Sequence, residues 1–566
     1  MRKYWLIAIL ILAAVLRIYG LERGDTVNDE VFYAFRAIGL MDFDKAPDQT
    51  TPLEWFDPHT KPFGVGVDSH IPWWTKISFH DHPPLVFWVQ HFFMNIFGDS
   101  AWAFRLPSAV FGVASVYLVY LIGAILFSET AGLLASAFFA MTLNGVYISR
   151  TGMQEPYVIF FMLLASYFFL KAVGKPNSNY LIWTGIALGL GFLAKYNVFI
   201  MAPFFLAYLA VYKRDYFLNK KLWLGTLIVF VIFSPVIIYN IELYRAVGHF
   251  DFQLSYVFGQ SHPEWQSQPG KEIGTAGERV KNFVPRLIAT NSWLFLVIFA
   301  GSLIFLRNSF LFFVFGFLLL LFSLIGPAYR FLTMLTPWMA LSVGSAAEHY
   351  FFAFLASLGV AQRQTRSKTM LGSAKIAIFA LIAVFAFEIF YSYNNQIAYY
   401  PKGPQPWLSS KVRYENYNWG YNELNDYLEK ELAGKMPAFT FTPKYLFLNE
   451  LQDKALADAL AKNLEPYPAL IVYYGNFDDG PRLWIFDRLN FYRAWPVISF
   501  DTYLRFIEEN GFDYYKKSGF RAYYFIEAAN IVPSKEFRSA VAGQNFISVK
   551  NPRGEEAFKI YRFDML

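Results

Sequence analysis

The chain has 566 residues, of which 55% are hydrophobic, 20% are aromatic and only 16% are charged. This composition is too apolar for one soluble core and predicts a membrane protein with several spans and an attached soluble part. The net charge of +6 is small for this length and indicates no nucleic-acid partner. The absence of cysteine excludes disulfides, thiolate metal sites and a cysteine nucleophile.

The first apolar segment runs from Tyr4 to Leu21 and is interrupted by Arg17. Because no small-residue cleavage site follows it, we interpret it as a retained helix and expect Arg17 to reach towards the outer interface. Further segments have about the length that crosses a bilayer. We place them at 106–127, 131–148, 156–170, 180–194, 198–212, 222–240, 287–306, 310–325, 331–352 and 376–393, which gives eleven spans.

The charges between the spans support this arrangement. If the N-terminus is cytoplasmic, the basic residues concentrate in the internal loops, as the positive-inside rule requires. These loops contain Lys171, Lys175, Lys213, Arg214, Lys220, Lys221, Arg307, Arg363, Arg366, Lys368 and Lys375. The same alternation predicts an extracytoplasmic C-terminus.

From about residue 394 the composition becomes more polar. Residues 422–432 and 450–464 predict amphipathic helices, whereas PALIVYYG, LWIFD, RAYYFIEA, FISVK and FKIYRF predict strands. We therefore expect a transmembrane domain over 1–393, with an external loop at 22–105 that contains interfacial helices. A soluble α/β domain is expected over 394–566.

The stretch VNDEVFYAFR, residues 27–36, places two carboxylates side by side shortly after the first apolar segment. A charge at the membrane edge must be hydrated, paired or used in function. One interpretation is a solvated helix start, with Asn28 or Asp29 as the cap and Glu30 favoured by the helix dipole. The alternative is a catalytic acidic pair, Asp29 and Glu30.

Other ionisable residues favour the catalytic alternative, because both signs of charge collect at the predicted outer interface. Lysine and arginine there suit a phosphate head group, and a carboxylate suits a general base. In a chain with so little charge, the set predicts a site for an anionic ligand with a hydrophobic tail. Its members are His80, Asp81, His82, Arg150, Glu155, Lys195 and Arg330.

The run His80, Asp81, His82 has side chains that suit a divalent metal ion, although its spacing is not a usual ligand motif. If a metal is bound, His249 is the candidate partner of Asp81. The alternative is that the two histidines of the run cap or hydrogen-bond the turn before Pro83.

The segment HDHPPLVFWVQHFFMNIFGDSAWAFRLPSAVFG, residues 80–112, resembles the second signature of the GT-C superfamily. These are membrane glycosyltransferases related to protein O-mannosyltransferases and aminoarabinose transferase. The resemblance lies in Asp-His-Pro-Pro-Leu, Phe-Gly-x-Ser and the Arg-Leu-Pro-Ser that contains Arg105. The Asp29 and Glu30 pair is similar to the acidic signature of the family, and GLGFLAKYN, residues 189–197, resembles its fifth span.

The resemblance implies a GT-C fold of about 11 transmembrane helices with a C-terminal extracytoplasmic α/β domain. It also implies an inverting transferase in the cell membrane, which passes a sugar from a polyprenyl-phosphate donor to a protein, lipid or glycan acceptor outside. Asp29 matches the catalytic base and Glu30 a supporting residue. Asp81 matches an acidic position that helps to hold a metal in the aminoarabinose branch.

Two positions depart from the aminoarabinose branch. His82 stands where that branch has a lysine facing the donor phosphate, and Phe32 stands where it has an arginine. The residues predicted to bind the donor phosphate are Lys195, Arg105, Arg150 and Arg330, with His82 as a further candidate.

The second hypothesis is a secondary transporter or lipid flippase for an amphiphilic anionic substrate. Such a protein favours internal repeats and ionisable residues near the middle of its spans, whereas the charges here cluster on one side. No G-x-x-x-x-G-K-[ST] loop occurs, so no nucleotide cofactor is expected. The predicted partners are the donor, the acceptor and membrane lipids, and a divalent metal ion is the one possible cofactor.

Overall fold

The computed structural model describes residues 2–26, 29–40, 72–176, 178–260, 275–357, 368–441, 446–475 and 477–564. Up to residue 392 the regular elements of the described chain are helical. In chain order, its α-helices are α1 (Arg2–Ile18), α2 (Asp29–Gly39), α3 (Leu85–Phe97), α4 (Ala101–Leu126), α5 (Glu129–Met141), α6 (Leu143–Ser149), α7 (Glu155–Gly174), α8 (Tyr180–Ala194), α9 (Met201–Tyr212), α10 (Lys220–Val247), α11 (Phe252–Val257), α12 (Ala276–Thr290), α13 (Trp293–Leu303), α14 (Ser309–Ile325), α15 (Tyr329–Leu332), α16 (Thr336–Ser357) and α17 (Lys368–Ser392).

Three of the described helices are long and apolar enough to cross a membrane, namely α4, α7 and α10. Helices α5 and α6 add a fourth crossing if the pair, which is bent by 60°, counts as one span. Shorter apolar helices include α8, α13 and α14. A polytopic helical membrane protein is therefore supported by helix length and composition, but the eleven predicted spans are not confirmed.

Two predicted spans are interrupted. The span expected at 287–306 is divided between α12 and α13, because the Ser292 hydroxyl accepts a hydrogen bond from the Phe295 N–H at 3.1 Å and starts a new helix. The span expected at 131–148 is divided at Thr142, whose backbone is extended with φ −62° and ψ 139°. A hydropathy pattern does not detect such local capping.

The chain divides into two compact units. The described residues of Met1–Glu22, Ile77–Leu243 and His249–Glu415 form the first, and those of Arg23–Lys76, Tyr244–Gly248 and Asn416–Leu566 form the second. This division assigns residues 394–415 to the first unit, and the domain boundary at residue 394 stays a prediction.

Hydrogen bonds explain why residues 394–415 belong to the first unit. The Ser410 hydroxyl donates to the carbonyl oxygen of Ala289 at 2.9 Å, and the Tyr399 hydroxyl donates to that of Gly20. The predicted external loop is divided as well, since α2 lies in the second unit and α3 in the first.

The C-terminal residues form the predicted α/β structure. Their main sheet has the strand order β4-β3-β5-β7-β6, in which β3 is parallel to β4 and β5 while β7 is antiparallel to β5 and β6. A separate parallel pair joins β1 and β2. The strands are β1 (Lys435–Pro437), β2 (Glu465–Tyr467), β3 (Ala469–Tyr473), β4 (Val497–Ser499), β5 (Ala522–Ala528), β6 (Phe546–Lys550) and β7 (Glu556–Asp564), and the helices are α18 (Tyr421–Glu431), α19 (Leu446–Ala461), α20 (Asp479–Arg482), α21 (Arg488–Arg493), α22 (Phe500–Asn510), α23 (Tyr514–Lys517) and α24 (Lys535–Ala540).

One predicted strand is wrong. The run LWIFD forms a helical turn of the π type over Leu483–Asp487, between α20 and α21. All five of its residues are buried. A short run that is buried on every side lacks the alternation that separates a strand from a buried helix.

Helices α4, α5 and α16 approach one another through glycine. A Cβ on Gly132 of α5 would lie 2.5 Å from the carbonyl oxygen of Tyr120 in α4. One on Gly344 of α16 would lie 2.5 Å from the backbone nitrogen of Ala135 in α5. Small residues at such contacts let helix backbones come close, as is common in membrane proteins.

We expect Gly132→Ala to lower the thermal unfolding midpoint of the purified protein, because the added methyl group meets backbone that cannot rotate away. The cost of such overpacking is about 1–3 kcal/mol. The matched control is Gly316→Ala in α14, where a Cβ meets nothing within 4 Å. An unchanged midpoint for Gly132→Ala, or an equal loss in both variants, contradicts this account of the packing.

Candidate functional site

Helix α2 carries both carboxylates of the predicted acidic pair in its first turn. Glu30 is buried, whereas Asp29 is half-buried and accepts a hydrogen bond from the Tyr33 hydroxyl at 3.4 Å. A carboxylate at a helix N-terminus is stabilised by the helix dipole. This position is compatible with a helix-start role and with proton acceptance.

In the first unit, Glu155 at the start of α7 is fully buried and faces two cations. Lys195, which follows α8, places Nζ 2.7 Å from Glu155 Oε1, and Arg330 of α15 places Nε 3.8 Å from the same oxygen. Both cations lie over the Phe331 ring, 5.2 Å and 5.3 Å from its centroid. We call these four residues the Glu155 cluster. Two cations and one carboxylate leave it with a net positive charge, which favours an anionic ligand.

Some polar side-chain atoms of Gln154 and Glu155 make no hydrogen bond among the described residues. Within the described residues, Glu155 Oε2 and both polar side-chain atoms of Gln154 are buried without a hydrogen-bond partner. Leaving such a group unsatisfied costs about 1–3 kcal/mol. A polar ligand that reached these atoms would recover part of that free energy.

Buried arginines in the same unit bind backbone carbonyl groups near the end of α1. Arg150 donates to the carbonyl oxygens of Tyr19 at 2.9 Å and Gly20 at 3.0 Å, and Arg105 donates to that of Leu21 at 3.0 Å. Carbonyl groups at a helix C-terminus lack partners within the helix. The geometry therefore favours a structural role for Arg105 and Arg150, and their predicted phosphate contact stays a prediction.

Arg17 is buried as well and does not extend outwards as expected. It donates to the carbonyl oxygen of Ala140 at 2.9 Å and to the Ser149 hydroxyl at 3.3 Å. Backbone carbonyl groups at the C-terminal end of α5 lack partners within the helix, so they can accept hydrogen bonds from the Arg17 guanidinium inside the unit.

Asp251, in the loop after α10, is the centre of a second buried polar cluster. Its Oδ2 accepts hydrogen bonds from the Tyr196 hydroxyl at 2.5 Å and Asn240 Nδ2 at 2.9 Å, and its Oδ1 accepts one from the Leu254 N–H at 2.8 Å. Burial raises the pKa of Asp251, and the negative charge of Asp81 raises it further. The hydrogen bonds oppose this shift without cancelling it.

Asp81 lies between its two histidine neighbours. His82 Nδ1 is 2.9 Å from Asp81 Oδ2, and His80 Nδ1 is 3.9 Å from Asp81 Oδ1. The carbonyl oxygen of His80 accepts a hydrogen bond from the Phe252 N–H at 2.7 Å, which joins this turn to the loop that contains Asp251.

The residues predicted to hold a metal ion, Asp81 and His249, lie in the turn before α3 and in the loop after α10. His249 places Nδ1 2.7 Å from the carbonyl oxygen of Phe250. Across the described ranges, no three His, Cys, Asp or Glu side chains converge in a way that could hold a metal ion. The assignment of Asp81 and His249 to a metal ion stays a prediction.

The structure brings some of the predicted residues together. Lys195 and Arg330 meet at Glu155, whereas Asp29 and Glu30 belong to the second unit. Sequence reasoning missed Asp251 and the pairing of Glu155 with Lys195. An acidic residue beside an apolar run could have pointed to both, because the same feature pointed to Asp29 and Glu30.

Residues 81–239 match the family model described as dolichyl-phosphate-mannose-protein mannosyltransferase. Over 204 residues, 36% of this chain, the protein is 29% identical to the putative mannosyltransferase YkcB of Bacillus subtilis. Over 158 residues, 27% of this chain, it is 25% identical to the undecaprenyl phosphate-alpha-4-amino-4-deoxy-L-arabinose arabinosyl transferase of Wigglesworthia glossinidia brevipalpis. The matched segments span 25% and 28% of these relatives.

The fold is similar to that of a solved structure, ArnT from Cupriavidus metallidurans bound to undecaprenyl phosphate. The TM-score is 0.53, with 14% identity, and 99% of this chain and 98% of that chain are covered. At this identity the likeness concerns the fold alone. Together with the family match, it confirms the resemblance to the GT-C superfamily of membrane glycosyltransferases. Within that class, the chain is similar to proteins named as mannosyltransferases and arabinosyltransferases.

We expect Asp251→Asn to change the pH dependence of stability. A raised pKa means that the folded protein binds more protons than the unfolded chain at pH values between the usual aspartate pKa of about 4 and the raised one. This group therefore lowers the stability of the wild type as pH rises through that window, whereas an amide does not titrate.

Thermal unfolding measured from about pH 5 to about pH 8 should show the midpoint of Asp251→Asn rising relative to the wild type. The exposed Asp458→Asn is the matched control. A constant difference between Asp251→Asn and the wild type across this range contradicts the account.

Proposed function

We propose that this protein is an integral membrane glycosyltransferase that takes a sugar from a polyprenyl-phosphate donor. The acceptor is a protein, lipid or glycan on the external face of the membrane. The match of residues 81–239 to a family named for a dolichyl-phosphate-mannose donor carries the proposal. That segment includes Glu155 and Lys195, so two of the four residues of the Glu155 cluster lie in the matched region.

The Glu155 cluster is the proposed site for the donor phosphate. Lysine and arginine neutralise phosphate oxygens, and arginine can donate two parallel hydrogen bonds. Phosphate would compete with Glu155 for Lys195 Nζ, while the Phe331 ring offers an apolar surface beside the charge. We assign Lys195 and Arg330 to phosphate binding in preference to Arg105 and Arg150, whose hydrogen bonds are directed to backbone carbonyl groups.

The proposed reaction is an inverting displacement at the anomeric carbon. An acceptor oxygen or nitrogen forms the new bond to that carbon, while the bond from the carbon to the phosphate oxygen breaks. The acceptor proton passes to Asp29 as general base, and polyprenyl phosphate leaves with the bonding electrons. Cations stabilise the negative charge that develops on the leaving group. We assign the role of general base to Asp29 because it matches the acidic signature of the family.

The proposal includes an orientation of the chain in the membrane. With a cytoplasmic N-terminus, Asp29, the His80 to His82 run and the C-terminal α/β residues lie outside. This follows from the distribution of basic residues between the predicted spans. Labelling of single introduced cysteines by an impermeant reagent in intact cells tests it, since the natural chain has none.

The function is tested by release of free polyprenyl phosphate from a panel of polyprenyl-phosphate sugars, using the purified protein with an acceptor extract. We expect release with at least one sugar and its loss in Asp29→Asn, because a general base contributes about 10²- to 10⁴-fold to the rate. Asp458→Asn is the matched control, and a parallel reaction with EDTA tests the need for a divalent metal. No release from any donor by folded protein would contradict the proposal and favour transport.

We expect Lys195→Gln to raise the KM for the donor, because a charged hydrogen bond to phosphate is lost. The bond is worth about 1.5–3 kcal/mol, which corresponds to about 10- to 100-fold. Steady-state kinetics with varied donor measures this change. The exposed Lys175→Gln is the matched control. An unchanged donor KM in Lys195→Gln would remove the Glu155 cluster from donor binding.

A further inference from the structure

Residues 23–26, which precede α2, are bound by the C-terminal residues of the second unit. Asp25 is fully buried. Its Oδ2 accepts a hydrogen bond from the Trp419 N–H at 2.5 Å, and its Oδ1 accepts one from the Asn422 N–H at 3.0 Å. Its own N–H donates to the carbonyl oxygen of Tyr417 at 3.0 Å. The aspartate therefore provides acceptors for N–H groups at the start of α18.

Asp25 caps α18 because the residue at the N-cap position of this helix has no side chain that could do so. The residue before the helix is Gly420, with φ +112° and no side chain to accept a hydrogen bond. N–H groups in the first turn of a helix need acceptors from outside the helix. Asp25 supplies them from a position 397 residues before Asn422.

Neighbouring side chains hold the same segment. Asn418 Nδ2 and Asn422 Nδ2 both donate to the carbonyl oxygen of Arg23, at 2.8 Å and 3.1 Å. Burial raises the pKa of Asp25 to about 7, against the lowering effect of the Asn422 and Trp419 N–H groups. A carboxyl group kept in so unfavourable an environment depends on these specific hydrogen bonds.

The other end of α2 is fixed by residues of α21. The Tyr492 hydroxyl donates to the carbonyl oxygen of Phe35 at 2.7 Å, and the two ring centroids are 4.9 Å apart. A Cβ on Gly39 would lie 2.9 Å from Tyr492 Cε1, so this glycine permits the close contact. The helix that carries Asp29 is thus held on both sides by C-terminal residues of its own unit.

We propose that Asp25 is a positioning residue for the acidic pair. By capping α18, it fixes the chain four residues before the start of α2, and we infer that it thereby sets the position of Asp29. The inference rests on the proposed function, in which Asp29 accepts the acceptor proton. It gives the C-terminal α/β residues a part in the reaction, because a displacement of about 1 Å at a reacting group can cost about 10²-fold in rate.

The test compares Asp25→Ala with Ser499→Ala in the full-length protein in detergent. Ser499 caps α22 in the same unit, where its hydroxyl accepts a hydrogen bond from the Thr502 N–H at 3.2 Å. Both variants remove a helix cap, but only Asp25 lies in the segment that leads into α2. Amide hydrogen exchange over residues 29–39 reports how firmly α2 is held, without any need for activity. Steady-state kinetics reports the consequence for turnover.

We expect Asp25→Ala to speed exchange over residues 29–39 and to lower kcat by about 10- to 100-fold, with the donor KM changed by less than about twofold. Asp25→Asn keeps one acceptor oxygen and should fall between Asp25→Ala and the wild type. Ser499→Ala should change neither readout, even if it lowers the unfolding midpoint equally. If Asp25→Ala does not fold, Asp25→Asn keeps the test of Asp25 decisive. Tyr492→Phe removes the bond to Phe35 and should speed exchange as well.

Unchanged exchange over residues 29–39 in the Asp25 variants, or an equal increase in Ser499→Ala, would overturn the inference. A rise in donor KM with unchanged kcat would also overturn it, because that pattern reports donor binding. A wild type without turnover would instead contradict the proposed function, and the exchange result would still decide whether Asp25 positions α2.

Discussion

The fold of the first unit depends on how charge is neutralised inside a largely apolar group of helices. Arg17, Arg105 and Arg150 are buried and donate to carbonyl groups near helix ends, which lack partners within their own helices. These arginines join the end of α1 to α4, to α5 and to the residue that follows α6. Glu155 is neutralised differently, by Lys195 and Arg330, and the proposed binding of the donor phosphate by these two residues rests on this difference.

The cations at Glu155 are suited to ligand exchange because the carboxylate they share is a side chain, which can move without disturbing backbone hydrogen bonds. An incoming phosphate can take hydrogen bonds from Lys195 without breaking backbone structure, whereas a ligand of Arg150 would have to displace several carbonyl groups. The buried Gln154 side chain adds polar atoms without partners among the described residues. The same comparison explains why arginines that look alike in the sequence are expected to differ in function.

The membrane character, the α/β C-terminus and the superfamily resemblance could be predicted from the sequence, because composition, alternation and the motif at 80–112 are local properties. The break at Ser292 and the helical turn at Leu483–Asp487 could not, since a single cap or complete burial decides them. Lys195 was recognisable from its motif, but its partner lies 40 residues away. The role of Asp25 was not recognisable, because its hydrogen-bond partners lie almost 400 residues later.

The most direct measurement is an experimental structure of the protein with bound polyprenyl phosphate. We expect phosphate within hydrogen-bonding distance of Lys195 Nζ and close to Arg330, with Lys195 shared between the phosphate and Glu155. Phosphate bound elsewhere, with the 2.7 Å bond between Lys195 and Glu155 intact, would contradict the assignment of the Glu155 cluster to the donor.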